Sequence, residues 1–152
     1  MRILLVGAGG FAQNYINVLL AEKDPSIELQ GIVDPYFATS EEKERIKAMS
    51  IPIYDTMQAF YAHHTADLAI ICTPTHLHCE QSIFAVANGS NVLCEKPLAP
   101  TVEEAERMNK AQKEYHRFIA IGYQWSFSDA MRKLKKDILR EVSLLKIKRC
   151  LM

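Results

Sequence analysis

Apolar residues arrive in short bursts, over residues 3–6, 27–33, 51–54, 67–72, 91–94 and 117–122, with polar turns between them. The first burst, Ile3, Leu4, Leu5 and Val6, has no polar alternation, which suits a strand buried on both faces. Between the bursts the apolar spacing turns helical. Phe11, Tyr15, Val18 and Leu19 follow the first strand, and Met57, Phe60 and Tyr61 follow a capping Asp55. Residues 39–49 open with the early acids Glu41 and Glu42, residues 76–88 run to a stop at Gly89, and Thr101 with Glu104 has capping-box spacing at the head of a helix to residue 115. Alternating strand and helix without an internal repeat predicts an α/β fold with a doubly wound parallel sheet over residues 1–122. Beyond it, residues 128–140 read as a connecting helix with Met131, Leu134 and Ile138 on its apolar face. Residues 142–150 alternate like a strand, the first of a second domain.

Composition narrows the classes. With 152 residues, 49% apolar and 24% charged, the chain suits one globular domain with a sizeable core. Lysine plus arginine equals aspartate plus glutamate at 18 each, so no global charge draws it to nucleic acid or a membrane surface. No apolar run approaches a membrane span, and the chain begins on a strand pattern rather than a signal peptide, so a cytoplasmic location is expected. A basic stretch, Arg132, Lys133, Lys135, Lys136, Arg140, Lys146, Lys148 and Arg149, lacks interleaved stacking aromatics and reads as a solvated face rather than a nucleic-acid patch. The cysteines, Cys72, Cys79, Cys94 and Cys150, read as reduced packing residues; Cys72, His76, His78 and Cys79 fit neither common zinc spacing, and no metal is expected.

Candidate chemistry gathers where strands end. After the first strand comes Gly7-Ala8-Gly9-Gly10-Phe11-Ala12 and then a helix. Gly7 permits the sharp turn, Gly9 lets backbone approach a pyrophosphate, Ala12 permits close helix–sheet contact, and the helix N-terminus is left to receive phosphate charge. A plain glycine turn has the same residues, but the strand before and helix after supply the setting a dinucleotide site requires. Asp34 ends the second apolar run, 27 positions after Gly7, where a carboxylate accepts hydrogen bonds from ribose hydroxyls and repels a 2′-phosphate. That favours NAD and leaves NADP open; the competing reading is a simple turn before Pro35. Thr73-Pro74 and Glu95-Lys96 fall at the ends of later strands. Ligands of doubly wound sheets sit outside the carboxyl ends of the strands, so all four loops are expected to share one crevice.

In series, Gly7-x-Gly9-x-x-Ala12, Cys72-Thr73-Pro74-Thr75-His76-Leu77-His78 and Cys94-Glu95-Lys96-Pro97-Leu98-Ala99 resemble the glucose–fructose oxidoreductase, inositol dehydrogenase and rhizopine-catabolism (Gfo/Idh/MocA) family. The resemblance runs on through Thr101-Val102-Glu103-Glu104-Ala105 and Gly122-Tyr123-Gln124-Trp125. It implies a Rossmann domain and hydride transfer between nicotinamide and a hydroxyl- or carbonyl-bearing carbon, often on a sugar or cyclitol. It implies that Lys96 is catalytic, its ammonium beside the reacting oxygen. The cofactor contacts it implies come from Gly7, Gly9, Gly10, Phe11, Ala12, Asp34, Thr73, Pro74, His78, Glu95, Lys96 and Gln124. Glu95 either contacts the cofactor or orients Lys96, and His78 either lines the nicotinamide side or is a polar residue of a first helical turn. Pro97 is expected to follow a cis peptide bond. Many members carry arginine two positions beyond Gln124, where this chain has Ser126.

Members of that family continue into a second domain that supplies substrate contacts and an acid–base partner for the lysine. The expectation for these 152 residues is therefore cofactor binding without turnover, with a polyhydroxy substrate engaged only through a second domain. The competing expectation is a non-catalytic module, dinucleotide-binding or self-associating. Either version is expected to form homo-oligomers through the exposed strand at residues 142–150.

Overall fold

The computed structural model describes residues 1–37, 46, 48 and 50–150, with residues 141–150 as backbone alone. The first apolar burst forms β1 (Arg2–Val6), and it is covered on both faces. Leu4 and Val6 join one core cluster, Ile3 and Leu5 the other, and none of the four is more than 2% exposed. Burying side chains of this size stabilises the fold by roughly 1.5–3 kcal/mol each.

The chain continues through α1 (Ala12–Ala21), β2 (Glu28–Val33), β3 (Ile53–Tyr54), α2 (Met57–Tyr61), β4 (Leu68–Ile71), α3 (His78–Ala87), β5 (Asn91–Cys94), α4 (Val102–Glu114) and β6 (Ile119–Ile121). The helix expected over residues 39–49 falls largely outside the described residues; Ile46 within it is buried beside Ile3 and Leu5. On α1, Ala12 and Ile16 are buried and the expected Tyr15 and Leu19 pack partly buried against the core, whereas the expected Phe11 and Val18 are exposed, so only part of the predicted apolar face meets the sheet. Thr56, rather than the expected Asp55, caps α2, and Thr101 caps α4, each hydroxyl accepting an N–H of the first turn, from Ala59 at 3.1 Å and Glu104 at 3.2 Å.

All six strands are parallel and lie in the order β3-β2-β1-β4-β5-β6. The chain steps outward from β1 to β3, then returns to set β4 on the other side of β1. The carboxyl ends of β1 and β4 flank that reversal, where a doubly wound sheet opens a crevice. One last ladder bond fixes the first residue of each loop there. The N–H of Gly7 donates to Val33 O, that of Cys72 to Val6 O, that of Glu95 to Ile71 O and that of Gly122 to Cys94 O, each at 2.8 Å.

A second compact unit starts at Tyr123. It opens with a 3-10 turn, Gln124–Phe127, and continues as α5 (Asp129–Cys150). Residues 142–150 are therefore helical, and the strand expected there, with the second-domain sheet it was to begin, is absent from them. A strand needs a neighbour to pair its backbone groups, whereas a helix pairs them within itself. Leu144, Leu145, Lys146, Lys148 and Arg149 also favour the helix by propensity. Homo-oligomers built through a strand edge at these residues lose their premise. Among the described residues, no helix is long and apolar enough to cross a membrane.

Candidate functional site

Gly7 leaves β1 at φ +86°, and a Cβ there would lie 2.8 Å from the Cys72 carbonyl oxygen, so β1 and β4 approach each other closely at this point. A Cβ on Gly9 would meet no protein atom within 4 Å, so the space beside it is open. Helix α1 then begins at Ala12 without a side-chain cap and without an acid in its first turn. Among the described residues, the N–H groups of Gly9, Gly10 and Phe11 have no protein acceptor. Three free donors at a helix N-terminus form a receptor for an anionic group such as a pyrophosphate.

Asp34 turns back onto this loop. Its Oδ2 accepts the Ala8 N–H at 2.8 Å, and its Oδ1 accepts the Tyr36 N–H at 2.8 Å. The carboxyl thus both starts the turn after β2 and pins the glycine loop, and each oxygen keeps a lone pair for a ligand hydroxyl. A cleft of about 1110 Å³ opens here, roomy enough for a ligand larger than a typical small molecule. Gly7, Gly9, Gly10 and Phe11 line one side, and Asp34, Thr73 and Pro74 line it further along.

Part of the wall was not anticipated. It comes from Tyr36, from Asp55 to Gln58 after β3, and from Leu77, Gln81 and Phe84. The rule that drew attention to the ends of β1, β2, β4 and β5 applies equally to β3, and that was the available signal. Thr73 is tied to this wall, its hydroxyl donating to Gln81 Oε1 at 2.5 Å.

Lys96 and Glu95 do not line that cleft, so three of the four loops expected to share a crevice do so. The fourth adjoins it through Phe11, whose ring centroid lies 5.8 Å from Lys96 Nζ, within cation–π reach. The Lys96–Pro97 peptide is cis, as expected. Glu95 is 7% exposed and accepts from the Tyr15 hydroxyl at 2.7 Å and from the Lys96 N–H at 3.2 Å. His78 opens α3 and is 1% exposed, its ring held between the carbonyls of Thr73 and Pro97. Ala12 is fully buried. Gln124 belongs to the second unit and remains a sequence-based expectation.

Burial pushes the Cys72 and Cys94 thiols up to about 12, so both stay protonated near neutral pH and act as packing groups. Among the described residues, no group of three histidine, cysteine or acidic side chains is arranged to hold a metal.

Known proteins resemble this chain in sequence and fold. The profile of an oxidoreductase family with an NAD-binding Rossmann fold, GFO/IDH/MocA, matches residues 1–123. The rhizopine catabolism protein MocA of Rhizobium meliloti is 29% identical over 137 residues, covering 90% of this chain and 42% of that protein. The inositol 2-dehydrogenase of Paracoccus denitrificans is 28% identical over 142 residues, covering 91% of this chain and 41% of that protein. Among solved structures, the WlbA dehydrogenase of Chromobacterium violaceum, crystallised with NADH and UDP-GlcNAcA, superposes with a TM-score of 0.82 at 27% identity, covering 93% of this chain and 40% of that one. The chain thus spans about two fifths of the length of these relatives. A profile match over residues 1–123, carried on a sheet of the same architecture, makes this chain a member of the GFO/IDH/MocA oxidoreductase family, with that family's NAD-binding Rossmann domain.

Proposed function

We propose that this chain is the NAD(P)-binding half of an oxidoreductase that moves a hydride between nicotinamide and a hydroxyl- or carbonyl-bearing carbon of a sugar or cyclitol-like substrate. The observation that carries the reading is the open, uncapped start of α1, where the free N–H groups of Gly9, Gly10 and Phe11 adjoin the Asp34 carboxyl. In this reading those N–H groups hold the pyrophosphate and Asp34 accepts the adenosine ribose hydroxyls. The bound dinucleotide supplies the hydride acceptor or donor. Lys96 stands beside Phe11 at the nicotinamide end and offers a cation to the charge developing on the substrate oxygen. The family's inositol dehydrogenase and the WlbA dehydrogenase support a polyhydroxy substrate.

Among the described residues, no acid–base side chain pairs with the Lys96 ammonium. Binding without turnover is accordingly the behaviour proposed for residues 1–152. The same observation favours a second reading, a dinucleotide-binding module with no catalytic role.

Fluorescence titration with NADH tests the first step. Saturable binding is expected, and none at millimolar cofactor would end the proposal. Asp34→Ala is expected to weaken NADH by about tenfold and to narrow the preference over NADPH, since it removes both a ribose acceptor and a repelling charge. Turnover in a longer version of the chain that is lost in Lys96→Ala separates the enzyme from the non-catalytic module.

A further inference from the structure

Two side chains that do not line the cleft, His78 and Tyr15, meet the Glu95–Pro97 segment from different helices, His78 at the Pro97 carbonyl and Tyr15 at the Glu95 carboxylate. Their role depends on Lys96 being the residue at the nicotinamide, as proposed above. From α3, His78 sets Nδ1 2.9 Å from Pro97 O and Nε2 2.9 Å from Thr73 O. A neutral ring donates to one of these carbonyls, the tautomer deciding which. From α1, the Tyr15 hydroxyl donates to Glu95 Oε1 at 2.7 Å, while Glu95 Oε2 accepts the Lys96 N–H at 3.2 Å. Gly122 makes room for this carboxyl, because a Cβ there would lie 2.8 Å from Glu95 Oε1.

Each bridge starts from an element that borders the cleft and ends at the main chain around Lys96, through the Glu95 carboxylate in one case and the Pro97 carbonyl in the other. Tyr15 sits on the helix that the glycine loop opens, and Thr73 lines the cleft itself. A lysine side chain has long rotational freedom, so the placement of its ammonium begins with a fixed main chain. Errors of about an ångström at such a group are costly. We propose that Tyr15 and His78 are positioning residues that couple occupancy of the dinucleotide cleft to the placement of Lys96. Burial and the neighbouring Glu95 push the Tyr15 hydroxyl pKa up, so it keeps its proton and remains a donor.

The test uses residues 1–152 with two ligands, NADH and ADP-ribose, which lacks the nicotinamide. Lys96 reactivity toward reductive methylation, read by mass spectrometry with and without saturating NAD in variants whose melting curves show them folded, reports the placement of the lysine. Tyr15→Phe is expected to weaken NADH by about fivefold or more, to leave ADP-ribose within about twofold, and to abolish protection of Lys96 by NAD. His78→Gln, which keeps one donor, is expected to fall in the same direction but less far than His78→Phe. Should the His78 variants fail to fold, Tyr15→Phe decides alone, since it removes a single oxygen. Equal weakening of both ligands, or unchanged NADH binding and Lys96 protection in folded Tyr15→Phe, overturns the proposal. If the unaltered chain binds neither ligand, the cofactor reading fails first; if it binds both and NAD never shields Lys96, the lysine's place at the nicotinamide fails instead.

Discussion

Gly7 shows how much one residue decides. Its φ of +86° and the 2.8 Å approach of Cys72 O leave no room for a side chain. Gly7→Ala is expected to cost at least about 2 kcal/mol in denaturant unfolding and to weaken NADH binding, because the residue would enter the left-handed region and press on a backbone carbonyl. This role was legible in the sequence, since a glycine that ends a buried apolar run just ahead of a second glycine marks a tight turn out of a strand. The role of Asp34 was half legible. Strand-end placement suggested a ribose contact or a turn, and the side chain meets Tyr36 N–H for the turn and Ala8 N–H in the loop. Tyr15 was not legible as a polar contact. In a row of apolar residues at helical spacing its hydroxyl carries no signal until Glu95, 80 positions away, is folded against it.

At the scale of elements, caps and strands followed local rules. Thr101 with Glu104 was a readable start to α4, and the hydroxyl accepts the Glu104 N–H as expected. Thr101→Ala is expected to lower unfolding stability by about 1 kcal/mol in urea titration while leaving the dinucleotide affinity unchanged. The end of the chain did not follow the pattern. Alternating apolar positions over residues 142–150 are compatible with a strand, but α5 runs through them to Cys150. Alternation describes a face, and a face is useful only if a sheet exists to receive it. Leu145→Pro provides the check: circular dichroism should lose the helical signal of about two turns, because proline removes a backbone donor and clashes with the preceding turn. A strand would leave that signal unchanged.

At the scale of the molecule, long-range pairing knits the sheet at the edge opposite the cleft. Arg2, at the start of β1, meets Asp67, just before β4, at 2.7 Å, and its backbone N–H donates to the same carboxyl. Hydrogen bonds from Arg2 hold Asp67 at about 2, below its ordinary 3.8. A carboxyl whose pKa is lower in the folded state stabilises the fold above its unfolded value and ceases to do so as pH falls through the folded one. Asp24, lowered by hydrogen bonds from Ser26, acts with the same sign. Both pairs face solvent, so the effect is modest and weakens with salt. The melting temperature should therefore fall between about pH 4 and pH 2, and less steeply in Asp67→Asn, as followed by thermal melts across that range.

The sequence by itself determined the alternation of strand and helix, the glycine loop and the family, because buried parallel strands and tight turns are written in consecutive residues. Only the tertiary structure decided that the β3 loop walls the cleft, that Lys96 stands beside it across Phe11 rather than within it, and that His78 and Glu95 turn inward to hold the Lys96–Pro97 main chain. It also decided that residues 142–150 are helical. The physical reason is shared. Each of these features depends on which groups lie within a few ångströms across the sheet or on whether a partner strand exists, and distance along the chain records neither.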